Sequence, residues 1–275
     1  MQTHITFIGG GNMASSLIGG LLANQFPANQ ITVAEPDADK LEQLASQFAI
    51  NTSTDNRLAV AHADVVVLAV KPQIMQPVCR AIADTVQQKK PLIISIAAGI
   101  RSSDIDRWLG NHCALVRCMP NTPALLQAGA TGLYANTQCS QAQQAIAEQI
   151  LSAAGITLWV KDETQLDAVT AVSGSGPAYF FLLMEAMQKA GEQLGLDSDT
   201  AKQLSLQTAL GAARMATEGN DDPATLRAKV TSKGGTTEAA INSFLDNGFE
   251  TLVTTALTSA RDRAIELADL LGNDA

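Results

Sequence analysis

Short β-branched runs alternate with longer stretches whose apolar positions recur every three to four residues through the first 160 residues of the chain. That alternation predicts strands at Ile5 to Ile8, Ile31 to Ala34, Val65 to Val70, Leu92 to Ile96, Ala114 to Arg117 and Thr157 to Val160. Between them it predicts helices near Met13 to Asn24, Asp39 to Phe48, Ile74 to Val86 and Gln141 to Ala153, with a short turn at Asp104 to Leu109. The unbroken Val65-Val66-Val67-Leu68-Ala69-Val70 reads as a central strand covered on both faces. Strand, helix and strand in succession imply parallel pairing through right-handed crossovers, hence an α/β fold with a Rossmann-type doubly wound, mostly parallel sheet. After about Lys161 the β-branched runs stop, and helices are expected at Asp162 to Val172, Pro177 to Leu194, Ser198 to Glu218, Glu238 to Asp246 and Phe249 to Leu271. The expected division is therefore a dinucleotide-binding domain over 1–161 and an all-helical domain over 162–275.

Composition narrows the function. With 275 residues, 46% hydrophobic and 16% charged, the chain has the makings of a packed core and not of a disordered segment. A net charge of −9 opposes sequence-blind attraction to nucleic acid or anionic lipid. No apolar run approaches the ~20 residues of a bilayer span. Cys79, Cys113, Cys118 and Cys139 form no CxxC pair and are expected as reduced thiols, and His4, His62 and His112 are too scattered for a zinc site of ordinary spacing, so no metal is expected. Met1-Gln2-Thr3-His4 shows no basic leader ahead of a cleavage site, so a cytoplasmic location is expected.

The candidate chemistry lies in turns. Gly9-Gly10-Gly11-Asn12-Met13-Ala14 follows a predicted strand and opens a predicted helix, matching G-x-G-x-x-A. Gly9 allows the tight turn, Gly11 lets the backbone approach a pyrophosphate at a helix N-terminus, and Ala14 permits close helix-to-strand packing. Glu35, twenty-four positions beyond Gly11, stands near the end of the second strand. There it either hydrogen-bonds adenosine ribose hydroxyls, favouring NADH over NADPH, or simply faces solvent. Ala69-Val70-Lys71-Pro72 and Ile96-Ala97-Ala98-Gly99 end two more strands with small residues, leaving room for a ribose and a nicotinamide, although Lys71 alone reads as a surface charge. Met119-Pro120-Asn121-Thr122-Pro123-Ala124 places a carboxamide and a hydroxyl between two stiffening prolines. In the helical half, Thr231-Ser232-Lys233-Gly234-Gly235-Thr236-Thr237 gathers hydroxyls and backbone amides at a helix start, as a carboxylate site or as a plain N-cap turn.

These segments, with Val172-Ser173-Gly174-Ser175-Gly176-Pro177-Ala178-Tyr179, occur in the order and spacing of pyrroline-5-carboxylate reductases, and the chain resembles that family over nearly its whole length. The resemblance implies an oxidoreductase that reduces L-1-pyrroline-5-carboxylate to L-proline with NADPH or NADH, the last step of proline biosynthesis. It implies a dimer that exchanges helices so that substrate sites form at the interface, and larger rings of dimers. By the same analogy, cofactor contacts fall on Gly9, Gly10, Gly11, Asn12, Met13, Glu35, Asn56, Val70, Lys71 and Ala97. Substrate contacts fall on Glu163, Ser232, Gly234, Gly235, Thr236 and Thr237, with Thr237 the catalytic candidate beside the ring nitrogen. Two positions depart from the family pattern: Lys233, where relatives carry proline, and Glu35, where relatives place a hydroxyl or amide suited to a phosphate.

No catalytic histidine stands out, which fits a cyclic imine that, once protonated on nitrogen, accepts hydride at carbon directly. A β-hydroxyacid dehydrogenase would need a lysine four residues after glycine on the helix between domains, and positions 178 and 180 are Ala and Phe. A non-catalytic dinucleotide sensor would have no use for the hydroxyl-rich turn of the second half.

Overall fold

The structure is a computed structural model and describes residues 3–272. Its sheet has eight strands: β1 (Ile5–Ile8), β2 (Ile31–Ala34), β3 (Asn51–Ser53), β4 (Val65–Leu68), β5 (Leu92–Ser95), β6 (Leu115–Met119), β7 (Gly129–Ala135) and β8 (Gly155–Trp159). They run in the order β3-β2-β1-β4-β5-β6-β7-β8. All pairings are parallel except β6 with β7, so the sheet is mostly parallel, as expected.

Two periods build this half. Along each central strand, alternate residues point to opposite faces. Phe7, Val33, Val67 and Ile94 pack in one cluster with α1 (Asn12–Ala23), α2 (Ala38–Phe48) and α6 (Gln141–Leu151), through side chains such as Leu17, Leu41 and Ile150. Ile8, Ala34, Val66 and Ile93 pack in the other with α3 (Asn56–Ala61), α4 (Met75–Lys89) and α5 (Ser102–Trp108), through Val60, Ile82 and Ile105. A strand buried on both sides has no polar face to show, which is why β1, β2, β4 and β5 are fully buried. The chain order reverses between β1 and β4, the topological switch point where open sheets of this kind bind ligands beyond the carboxyl ends of their strands.

β3, β7, α3 and a later helix, α10 (Pro223–Lys229), have no counterpart among the predicted elements. Asn51-Thr52-Ser53 is a three-residue, largely exposed edge strand without apolar alternation, and Gly129-Ala130-Thr131-Gly132-Leu133-Tyr134-Ala135 is glycine-rich. Both are strands because a paired neighbour supplies what their own sequence lacks.

Contacts divide the described chain into two compact units, one running to Ser175 and resuming at Ser259, the other spanning Gly176–Thr258. The step falls after Ser175 and not at residue 161, because α7 (Gln165–Val169) and the π-helical turn that follows it lie with the sheet. Leu166 and Asp167 are buried, Asp167 Oδ2 takes a hydrogen bond from Arg101 at 3.0 Å, and a Cβ on Gly132 of β7 would stand 2.7 Å from Val169. The second unit holds α8 (Gly176–Gln193), α9 (Ser198–Glu218), α10, α11 (Thr236–Asp246) and the first part of α12 (Phe249–Gly272). Pro177 and Pro223 stand in the first turns of α8 and α10, where a missing N–H costs nothing, and Gly195 takes φ +103° just after α8. Among the described residues no helix is long and apolar enough to cross a membrane.

Candidate active site

The glycine turn between β1 and α1 is built by three constraints. Gly9 has φ +98°, donates to Ala34 O at 2.8 Å, and a Cβ there would stand 2.7 Å from Ala69 O, so no larger residue fits beside the end of β4. Gly10 is packed against Leu44 and Val33. Gly11 is the N-cap of α1 with φ −74°, and a Cβ added to it would meet nothing within 4 Å. No side chain caps α1 and no acidic residue occupies its first turn, so Asn12 and Met13 open a helix whose positive end is available to an anion. A backbone cradle with room over Gly11 suits a pyrophosphate, and the residues present fit a dinucleotide.

The remaining cofactor candidates lie around the same strand ends. Glu35 is the first residue after β2; its Oε2 accepts from Gly10 N–H at 3.0 Å and from Lys40 Nζ at 2.9 Å. Burial alone would raise its carboxyl, but the Gly10 amide and the Lys40 ammonium together hold it below the ordinary value, so it is ionised at neutral pH. Asn56 is the first residue of α3, whose N-cap Asp55 binds Arg57 N and Leu58 N. Val70 and Lys71 follow β4, with Lys71 exposed. Ala97 follows β5, buried, its amide 3.4 Å from Ser95 Oγ.

Glu163, assigned by analogy to substrate, has its carboxylate engaged within the sheet unit. Oε1 accepts from Ser102 N at 2.6 Å and Arg117 at 3.1 Å, and Oε2 accepts from Ser102 Oγ at 2.6 Å. It thereby binds the first amide of α5 and meets the buried Arg117 of β6. Asp167 Oδ1 lies 4.0 Å from Arg117, making one charged network of Arg101, Arg117, Glu163 and Asp167. Asn121 ties the turn after β6 to the π-helical turn, donating to Ser173 O at 3.0 Å and accepting from Ala130 N at 2.9 Å. Sequence reasoning missed the partners of Glu35 and Glu163, because nothing in the spacing marks Lys40, Ser102 or Arg117 as theirs.

Ser232, Gly234, Gly235, Thr236 and Thr237 form a turn within the helical unit. Gly234 has φ +73°, Gly235 is the N-cap of α11 with no side-chain cap, and Thr236 and Thr237 are the first two residues of that helix. Gly235 N–H donates to Ser232 O at 3.0 Å, closing the turn. Gly234 N–H donates to Glu238 Oε2 at 2.7 Å, so a carboxylate of the chain already sits on one amide of the turn. Among the described residues no three His, Cys, Asp or Glu gather as a metal site, and all four cysteines are free. Burial pushes the Cys79 and Cys113 thiols up to about 12 and Cys139 up to about 11, away from reactivity.

The model of the pyrroline-5-carboxylate reductase dimerisation domain matches residues 163–267, and that of the coenzyme F420-dependent NADP oxidoreductases matches residues 4–99. A pyrroline-5-carboxylate reductase of Pseudomonas aeruginosa is 59% identical over 269 residues, covering 98% of each chain. The chain belongs to the pyrroline-5-carboxylate reductase family. A reductase of that family from Coxiella burnetii superposes with a TM-score of 0.94 at 47% identity, covering 98% of this chain and 99% of that one. One from Plasmodium falciparum, solved with NADP bound, gives 0.84 at 28% identity, covering 98% and 99%. As a member of the family, the chain is an NAD(P)-dependent oxidoreductase of proline biosynthesis, and the hydroxyacid dehydrogenase and sensor readings fall away.

Proposed function

We propose that this reductase holds the carboxylate of pyrroline-5-carboxylate at the Ser232–Thr237 turn and takes its dinucleotide on the strand ends beside Gly9, Gly10, Gly11, Asn12, Met13, Glu35, Asn56, Val70, Lys71 and Ala97. The observation that supports the reading is the start of α11, where the N-cap Gly235 brings no capping side chain and the neighbouring Gly234 amide already takes a carboxylate, that of Glu238, at 2.7 Å. The Gly235 and Thr236 backbone and the Ser232 hydroxyl hold the carboxylate, Gly234 joins them once Glu238 moves aside, and Thr237 Oγ1 meets the ring nitrogen. Such a helix start contributes about 0.3–1 kcal/mol to an anion, and up to ~2 when partly buried. A reduced nicotinamide, when bound, supplies the hydride. The chain need not deliver a proton in that step, because the substrate enters protonated on nitrogen and hydride at carbon completes the amine; Thr237 orients that N–H. Positioning is the main work asked of the protein. Glu163, its carboxylate held by Ser102 and Arg117, is a further substrate contact in this proposal.

Residues 1–161 carry the dinucleotide and residues 162–275 carry dimerisation and substrate, a functional division supported by the family match over 163–267. The enzyme works in the cytoplasm, and its dimers assemble further into rings. Loss of nicotinamide absorbance on adding pyrroline-5-carboxylate tests the activity. Thr237→Ala tests the turn: turnover should fall about ten- to hundredfold, the worth of one hydrogen bond to a charged group, with dinucleotide Kd unmoved. Unchanged kinetics would remove Thr237 from the site.

A further inference from the structure

The carboxylate at the end of β2 is not alone. Glu35 Oε2 takes both the Gly10 amide and the Lys40 ammonium, and neither contact uses Oε1. Lys40 is placed by its own helix: its amide donates to Asp37 Oδ1 at 3.2 Å in the N-cap of α2. Its stem passes the phosphate turn, where a Cβ on Gly10 would stand 3.7 Å from Lys40 Cε. The side chain of Lys40 is 37% exposed against 14% for Glu35, so of this pair the ammonium is the group presented outward. The nearby Asp37 accepts from the amides of Asp39 and Lys40 through Oδ1.

We propose that Lys40 is a specificity-determining residue for the nicotinamide cofactor, its ammonium making the 2′-phosphate of NADPH acceptable where the Glu35 carboxylate alone would admit only the 2′-hydroxyl of NADH. The inference rests on the reading that Glu35 lies at the adenosine ribose. Two anions in contact at a protein surface repel, and a cation within hydrogen-bond reach of one of them offsets that repulsion and supplies a donor to the other. A carboxylate has about four acceptor positions, of which the Gly10 amide, the Lys40 ammonium and the Asp37 amide use three; one remains for a ribose hydroxyl, so the pair serves both cofactors, and the departure of Glu35 from the family pattern is compensated five residues later. Arginine would preserve the charge at position 40, and glutamine would remove it while keeping most of the bulk.

The test is binding, not turnover. The full-length protein and its Lys40→Gln, Lys40→Arg and Glu35→Ser variants are titrated with NADPH, NADH, 2′,5′-ADP and 5′-AMP, followed by protein fluorescence or calorimetry. Lys40→Gln should raise the Kd of NADPH and of 2′,5′-ADP at least about tenfold, and those of NADH and 5′-AMP less than about threefold. It should also flatten the salt dependence of NADPH binding. Lys40→Arg should stay within about threefold of the parent for NADPH, and Glu35→Ser should shift preference toward NADPH. An equal loss for both cofactors, or an unaltered NADPH Kd, overturns the assignment of Lys40. If the unsubstituted protein bound neither dinucleotide, the cofactor reading itself would fail, a result distinct from either of these. Were Lys40→Gln to misfold, Lys40→Ala, which removes the same charge, would be titrated in its place and read by the same outcomes.

Discussion

A Cβ on Gly9 would press against Ala69 O, whereas one on Gly11 would meet no atom of the protein. Two glycines of one turn therefore answer to different demands. Gly9 is fixed by the fold, since φ +98° and the end of β4 leave no alternative. Gly11 is extended backbone at φ −74° and ψ 179°, which any residue adopts, so the protein itself has no need of glycine there. In the proposed function the dinucleotide occupies the space above it. Gly11→Val should accordingly leave the thermal midpoint within a degree or two, as surface changes usually do, and abolish dinucleotide binding by calorimetry. Normal binding by a folded Gly11→Val protein would sink the assignment of the turn. The G-x-G-x-x-A spacing made both residues legible in the sequence, but only the structure separates the glycine the fold requires from the glycine it does not. Glu35 was legible in the same way, as a carboxylate at a strand end. Its pairing with Lys40 was not, because a residue five positions on meets it only after the chain has turned from β2 into α2.

Elements were readable where one segment carries its own periodicity. Val65–Leu68 announces a central strand, and Ser140 with Gln143 closes α6 in a capping box before the apolar run begins. β7 is invisible for the opposite reason: its glycines leave room for neighbours and supply little strand preference of their own, and its antiparallel pairing with β6 is a property of the sheet. The N-terminus of α11 lies between these cases. The hydroxyls and glycines that mark it are plain in the sequence, yet the sequence did not reveal that Glu238, three residues inside the N-cap, would reach back to Gly234. That contact favours the helix and, in the function proposed for this turn, competes with substrate. Glu238→Ala should lower KM for pyrroline-5-carboxylate by roughly threefold, the effect of removing one like charge at ~6 Å in a water-like dielectric, ~0.7 kcal/mol. It should also cost the helix about 0.3–1 kcal/mol in urea unfolding, because an acidic group in the first turn is lost. A KM that stays put or rises would show that Glu238 does not share the turn with substrate.

The helical unit cannot be complete as a single chain. Between Gly176 and Thr258 only Gly176, Ala201 and Ser205 are buried, while Phe180, Phe181, Leu182, Leu204, Leu210 and Leu252 are each more than half exposed. The sheet unit has two full cores by comparison. A set of apolar helix faces of that extent marks an interface, and the match of residues 163–267 to a dimerisation domain supports the proposal that a second copy of the chain covers them. Folding of α8, α9 and α12 and association are then one process, and the stability of this unit depends on protein concentration. Sedimentation should give a mass of at least twice 28.8 kDa, with further multiples if dimers close into rings. The double substitution Leu182→Glu/Leu252→Glu puts charges on faces that must be desolvated, at several kcal/mol per unpaired ion. Its expected product is a monomer with reduced far-ultraviolet helicity, in which amide exchange is fast across residues 176–258 and slow in β1, β4 and β5. A double variant that kept both the parental mass and the parental exchange pattern would mean that these two faces are not what the partner covers.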